Sequence, residues 1–296
     1  MQRTNGRWKL EQKTLSMKKE KIYLPDSAIR NGLFHVVCEI FFELKQNRWL
    51  IFQLFKRDLL SLYKQSLLGF MWAFIFPIVS VGTFLVLNRS GIFNIDDTGI
   101  PYPVFAITGM AFWQLFSTGI NATSSSLVKA GNMIVKINFS KKSLVLASIG
   151  QSILSFSVQL LLIVSLFAYY GIVPGWQVLL IPVLILPIIF LTLGVGFLLS
   201  ILNGIFRDTG NIISILMTFF MFLTPVLYPK PLSGFLSRIS DFNPLYYLVS
   251  FSRDIILFGK SDLFTGFMLS TLLSLIVFCV CIFIFHLTES RVAERI

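Results

Sequence analysis

Charged residues are scarce in this chain. Asp, Glu, Lys and Arg make up 13% of its 296 residues, whereas a typical soluble domain has roughly 25%. Hydrophobic residues make up 55%, and the mean hydropathy is +0.78. This balance excludes an ordinary soluble domain and predicts an integral membrane protein.

Cysteine and histidine are also rare. The three cysteines are Cys38, Cys279 and Cys281, and the two histidines, His35 and His286, are isolated from each other. Neither set has the spacing of a disulfide framework or of zinc ligands. We therefore predict no metal site.

The sequence lacks a complete nucleotide-binding or catalytic motif. Residues 259–261 read Gly-Lys-Ser like the end of a P-loop, but Asp254 stands where that motif has its first glycine. The loop carboxylates are scattered instead of converging as a membrane enzyme would need, and they are Asp58, Asp96, Asp97 and Asp208. We predict that the chain is not an enzyme and is either passive or powered by a separate subunit.

Apolar runs long enough to cross a membrane fall at residues 66–88, 102–127, 143–170, 176–203, 211–229 and 262–286. The first five contain no ionisable side chain, although ion-coupled transporters usually need such groups within the membrane. We expect an all-α polytopic protein with six transmembrane helices. The predicted divisions are a cytoplasmic segment 1–65, a membrane domain 66–286 and a tail 287–296.

Lys and Arg are distributed unevenly between the loops. With both termini inside, the cytoplasmic side holds 20 of these residues and the outer side holds five. This asymmetry predicts a multi-pass membrane protein with both ends in the cytoplasm. Residues 1–65 alone hold 13 of the 25, so we expect them to face anionic lipid and not nucleic acid.

Residues 47–65 are amphipathic and precede the first apolar run. Apolar residues recur every three or four positions, at Trp49, Phe52, Phe55, Leu59 and Leu62. This pattern predicts a helix in the membrane interface, with its aromatic side opposite its basic side. It is either a topology anchor or a surface that recruits an acidic head group through Lys56, Arg57 and Lys64.

Two loops are too apolar to be simple turns. Residues 127–142 are short, basic and rich in apolar side chains, which favours docking to a partner over a turn on the membrane surface. Residues 229–261 contain Asn243-Pro244, a helix start. They form either a re-entrant pair of short outer gate helices or an amphipathic hairpin on the membrane surface.

Polar stripes in the second and third runs allow two interpretations. They comprise Gln114, Ser117, Thr118, Asn121, Ser124 and Ser125, then Ser148, Gln151, Ser152, Ser155 and Gln159. The stripes either hydrogen-bond neighbouring helices or line a path for sugar hydroxyls. Aromatic residues near the ends of the runs either pack or stack on sugar rings.

Several stretches in order resemble the permease subunits of ABC type 2 polysaccharide exporters of the O-antigen and teichoic-acid kind. They are KRDLLSLYKQSLLGFMWAFIFP, PYPVFAITGMAFWQLF, NMIVKINF, FRDTGNI, TPVLYP and Asn243-Pro244. The resemblance covers residues 45–285. It departs from the family at Phe139-Ser140, where many members have Phe-Pro.

The resemblance implies a homodimer joined to two ATP-binding cassette subunits. Those subunits would bind ATP and Mg, and this chain would hold no cofactor. The substrate would be a glycan on an undecaprenyl-diphosphate lipid, and the location would be the bacterial cytoplasmic (inner) membrane. A drug or lipid efflux permease of the same superfamily is the alternative, and a passive channel is a more distant one.

The resemblance also assigns residues to roles. The coupling helix lies at residues 128–139, with Lys129, Asn132, Met133, Val135, Lys136, Ile137 and Phe139. The first and fifth spans help to line the channel, and the aromatic candidates are Trp72, Phe76, Trp113, Phe116, Phe219 and Phe222. The outer gate candidates are Tyr228, Asn243, Pro244, Tyr246, Tyr247 and Arg253.

Overall fold

The fold was taken from a computed structural model, which describes residues 42–64, 71–90, 99–136, 140–206, 208–229 and 234–292. These residues belong to one compact unit, Ile40–Ile296. Every regular element in the described ranges is a helix, which confirms the all-helical prediction.

The helices follow one another with short connections. They are α1 Arg48–Lys64, α2 Trp72–Arg89, α3 Tyr102–Ser124, α4 Ser126–Lys136, α5 Lys142–Tyr170, α6 Ile181–Leu184, α7 Leu186–Ile205, α8 Thr209–Leu223, α9 Phe235–Phe242, α10 Pro244–Phe258 and α11 Phe264–Val292. A 3-10 turn, Trp176–Leu180, leads into α6.

Among the described residues, four helical stretches are long and apolar enough to cross a membrane. They are Tyr102–Ser124, Lys142–Tyr170, Trp176–Ile205 and Phe264–Glu289. They coincide with the predicted second, third, fourth and sixth spans, so the multi-pass membrane prediction is confirmed. Shorter apolar helices, Phe74–Thr83 and Thr209–Leu223, occupy the predicted first and fifth positions. The count of six spans stays a prediction.

The centre of the bundle is α3, which packs against α5 and α7 while α7 packs against α11. Glycines allow the close approach. A Cβ added at Gly119 would lie 2.5 Å from Thr192 Cγ2, and one at Gly194 would lie 2.9 Å from the Phe278 backbone. Small residues at helix contacts are the usual means of close packing inside a membrane.

The polar stripes of α3 and α5 lie partly inside this bundle. Their buried members are Gln114, Ser124, Ser148, Ser152 and Gln159, and the others are half-buried. The Ser152 hydroxyl donates to the Ile149 carbonyl of its own helix at 2.8 Å, and Thr123 donates to the Gly119 carbonyl at 2.7 Å. Gln159 Nε2 donates to Gln114 Oε1 at 2.7 Å, which joins α5 to α3. The structure thus favours helix packing over a lined path for these residues.

Candidate transport surfaces

The predicted interface helix, α1, packs along α5. Leu54 is buried, and the Phe55 ring lies over Gly150, where an added Cβ would come within 2.1 Å of the ring. Trp49 and Phe52 are instead exposed. The expected aromatic face is therefore divided, because Phe55 contacts the bundle whereas Trp49 and Phe52 do not lie against it.

The exposed surface of α1 carries both aromatic and basic residues. Lys56 follows Phe52 by one turn, whereas Arg57 lies further round the helix, and both are exposed. The position of α1 in the membrane interface stays a prediction. Arg57 donates to Asp58 Oδ1 from Nη2 at 2.7 Å and from Nε at 2.9 Å. Lys64 ends α1, and its side chain lies outside the described residues. An exposed mixture of rings and cations suits a membrane interface.

The first part of the predicted coupling loop forms α4. Leu127 and Ala130 are buried, whereas Val128 and Lys129 are exposed. At Gly131 the helix is kinked, with φ 25° and ψ −108°, a conformation that favours glycine. The predicted coupling residues Asn132, Met133, Val135 and Lys136 follow on the backbone of α4, with side chains outside the description, and Ile137 and Phe139 lie outside the described residues.

At the other end of this loop, sequence reasoning missed a buried ionic cluster. The Lys142 ammonium lies 3.0 Å from Glu43 Oε2 and 2.5 Å from Glu289 Oε2. Burial lowers the pKa of the neighbouring Lys141, and the nearby Glu289 opposes that shift. In the sequence Glu43, Lys142 and Glu289 are far apart, and nothing in the local pattern shows that they pair.

The opposite end of the bundle contains α9 and α10, which match the two short helices expected between residues 229 and 261. Asn243 caps α10, because its Oδ1 accepts from Leu245 N at 3.0 Å, and Pro244 is the first residue of the helix. The predicted helix start is thus confirmed. How deeply the two helices enter the membrane stays a prediction.

Residues 224–228, which follow α8, are fastened by three other parts of the chain. Asn243 Nδ2 donates to Thr224 Oγ1 at 2.8 Å, and the Tyr102 hydroxyl donates to the Leu227 carbonyl at 3.0 Å. Arg253 Nη1 lies 3.4 Å from both the Pro225 and Val226 carbonyls. Its guanidinium carbon is also 3.9 Å from the centre of the Phe105 ring, a cation–π contact.

The three predicted gate tyrosines also lie beside these helices. The Tyr228 hydroxyl donates to the Phe222 carbonyl at 2.5 Å, and the Tyr247 hydroxyl donates to the Asp241 carbonyl at 3.1 Å. The rings of Tyr246 and Tyr247 are in edge contact, and Tyr246 is buried. The structure therefore brings the predicted gate residues together at one end of the bundle.

The predicted channel aromatics separate into two groups. Trp72, Phe76, Phe219 and Phe222 are 55%, 58%, 65% and 49% exposed. Trp113 and Phe116 are only 3% and 5% exposed, so they lie inside the bundle and present no surface. Trp113 stacks on Phe220 of α8 with ring centres 6.4 Å apart and thus supports that helix from behind.

An open cavity of about 490 Å³ lies between the end of α8 and α9. Three phenylalanines, one from α8 and two from α9, line it together with the exposed Arg238. Aromatic faces beside a single hydrogen-bonding cation are a combination that fits sugar rings and their hydroxyls.

These features identify the molecule as a polytopic helical membrane protein. It has an apolar helix bundle, the helix α1 along its surface, and an end at which residues 224–228 are fastened. The chain belongs to the ABC-2 type transporter family, whose model matches residues 50–257. The resemblance to ABC type 2 permeases is thereby confirmed.

Three similar proteins from two organisms are named O-antigen export system permease protein RfbA. The protein from Myxococcus xanthus is 34% identical over 203 residues, which cover 67% of this chain and 73% of the relative. One from Klebsiella pneumoniae is 28% identical over 230 residues, covering 73% and 85%, and another is 26% identical over 256 residues, covering 80% and 95%.

The fastening of residues 224–228 predicts the effect of Arg253→Met. Without the guanidinium, the Pro225 and Val226 carbonyls lose a charged donor, and the segment should open more often. In a chain with its three cysteines changed to Ser, we expect a hydrophilic maleimide to label Leu227→Cys about tenfold faster. Arg238→Met, which removes an exposed arginine nearby, is the control and should not change the labelling rate. Equal rates in both variants would show that Arg253 does not fasten the segment.

Proposed function

We propose that this chain is the transmembrane subunit of an ATP-driven exporter that moves a polysaccharide linked to undecaprenyl diphosphate to the outer side of the cytoplasmic membrane. The match to the ABC-2 type transporter family is the main support for this proposal, and the names of the similar proteins support the substrate class. The described bundle adds support, because the interiors of its long helices lack the charges that ion coupling needs.

In the proposed assembly, two copies with six spans each join two ATP-binding subunits, which hold ATP and Mg. The two shorter apolar helices support a homodimer. Among the residues of α8, only Ile213 is buried, and α2 exposes Trp72, Phe76, Ile78 and Val79. Apolar faces of this extent, at the positions assigned to the channel, suit contact with a second copy and with substrate.

The path for the glycan would follow the four exposed aromatics of α2 and α8. Their rings offer flat apolar faces to the C–H faces of sugars, and they hold no charge that would trap a long chain. Trp113 and Phe116 would act from behind by supporting α8. At the outer end, α9 and α10 would form the gate, with Tyr228, Asn243, Pro244, Tyr246, Tyr247 and Arg253 holding its closed form.

The lipid diphosphate would meet the chain at α1. Lys56 and Arg57 are exposed beside an aromatic edge, and Lys64 lies two turns further along the helix. Cations in this setting suit phosphate oxygens, while the rings remain among the lipid head groups.

Purification from native membranes tests the power source. We expect an ATP-binding subunit to be recovered in equal amount with the chain, as measured by mass spectrometry and ATPase activity. Met133→Asp should reduce this recovery about tenfold or more, because a carboxylate would be buried in the docking contact. Val173→Asp, at an exposed position in the turn after α5, is the control. Recovery of a chain without ATPase activity would contradict the proposal.

Leucine substitutions test the aromatic path. Phe219→Leu and Phe222→Leu remove the stacking faces and keep the apolar character. We expect each to lower glycan export about fivefold, from roughly 1 kcal/mol of lost stacking, with the recovered ATP-binding subunit unchanged. Leu269→Ala, at an exposed position of α11, is the control. Normal export by both leucine variants would remove α8 from the path.

Charge reversal tests the diphosphate contact. We expect Lys56→Glu combined with Arg57→Glu to weaken binding of the lipid-linked glycan roughly tenfold or more, as measured with purified complex in lipid nanodiscs. Lys260→Glu, an exposed reversal before α11, is the control. If the double variant binds and exports normally, the head group is recognised elsewhere.

A further inference from the structure

One buried cation connects three parts of the chain that are distant in sequence. Lys142 begins α5 directly after the coupling loop, and its side chain is 1% exposed. Its Nζ lies 3.0 Å from Glu43 Oε2, 2.5 Å from Glu289 Oε2 and 3.0 Å from His286 Nδ1. Glu289 and His286 are hydrogen-bond partners of the ammonium group, and the Glu43 carboxylate lies at ion-pair distance from it.

The residue before Lys142 strengthens the connection to α11. Lys141 donates its backbone N–H to Glu289 Oε1 at 2.5 Å, and its Nζ donates to the Glu289 backbone carbonyl at 3.2 Å. Both residues at the end of the coupling loop are thus bound to the last turns of α11.

The connection to the N-terminal side has two points. Glu43 stands in the helical residues 42–46 that lead into α1, and it reaches Lys142 at the start of α5. The second point is Phe55 on Gly150, about two helical turns further along α5. Because two separated contacts fix both the position and the direction of a helix, α1 is held to the first turns of α5.

Buried ion pairs are poor stabilisers, because the cost of removing both charges from water offsets most of their attraction. Loss of one partner, however, leaves a buried charge alone, which strongly disfavours any arrangement that separates them. The cluster is therefore better suited to keeping three segments in register than to adding stability.

We propose that Lys142 is a positioning residue that transmits movement of the coupling loop to the interface helix and to the last span. The inference rests on the proposed function, in which an ATP-binding subunit moves residues 127–142. When the end of this loop shifts, Glu43 and Glu289 shift with it because each is bound to Lys142.

Removal of the Glu43 charge tests the connection between Lys142 and the N-terminal side, while Glu289 still pairs with Lys142. We expect Glu43→Gln to lower the glycan exported per ATP hydrolysed about fivefold, with membrane level and bound ATP-binding subunit unchanged. The probe is the undecaprenyl-diphosphate glycan extracted from the native membranes, with purified complex in proteoliposomes. Asp208→Asn, which removes an exposed carboxylate just before α8 and outside this cluster, is the control. Glu289→Gln should behave like Glu43→Gln.

A distance measurement separates transmission from simple support of the fold. Spin labels at Gln53→Cys on α1 and Val128→Cys on α4, in a chain without its natural cysteines, report the separation of helix and loop. In the otherwise unchanged chain, we expect the same spin-label distance with and without trapped ATP. With Glu43→Gln, we expect this distance to change when ATP is trapped.

The outcomes distinguish this inference from the proposed function. Two results would overturn the role of Lys142 and leave the proposed function intact. One is a Glu43→Gln complex that exports as much glycan per ATP as the unsubstituted complex. The other is a Glu43→Gln complex whose spin-label distance is the same with and without trapped ATP. An unsubstituted chain that binds no ATP-binding subunit and exports no glycan contradicts both the proposed function and the role of Lys142.

Discussion

Close contact between helices whose middle turns carry no charge is the constraint on which this structure depends. Inside a membrane the lipid is as apolar as the side chains, so helices associate through tight packing and occasional hydrogen bonds. Gly119 and Gly194 provide that packing at the contacts of α3 with α7 and of α7 with α11. The hydroxyls of Thr123 and Ser152 donate to carbonyls of their own helices, and the pair Gln114–Gln159 adds one bond between helices.

A rigid centre leaves the movable elements at its edge. In contrast to α3, α8 buries only Ile213 among its own residues and contacts the bundle lightly. Its end is nevertheless fixed, because residues 224–228 are held by Tyr102, Asn243 and Arg253. A helix that is fastened at one end and has few contacts along its length can tilt with little disturbance of the core, as the proposed path for a polymer would require.

Composition and periodicity were sufficient to predict the long helices and the helix start at Asn243-Pro244, because both depend on local sequence. They failed for the face of α1, since periodicity identifies apolar positions but does not say whether lipid or protein covers them. Phe55 contacts Gly150, whereas Trp49 and Phe52 are exposed. The Lys142 cluster was beyond local reasoning, because Glu289 lies 147 residues away in the chain.

The two buried cations solve a common problem at the two ends of the bundle. Segments that do not cross the membrane cannot be held by helix packing alone, and a charge in the middle of the bundle would be costly. Arg253 fastens residues 224–228 through carbonyl groups and the Phe105 ring, while Lys142 fastens the start of α5 to Glu43 and Glu289 through two carboxylates. Each cation thus lies near an end of the bundle, where its partners come from segments distant in sequence, and the long helices between them are held by uncharged packing.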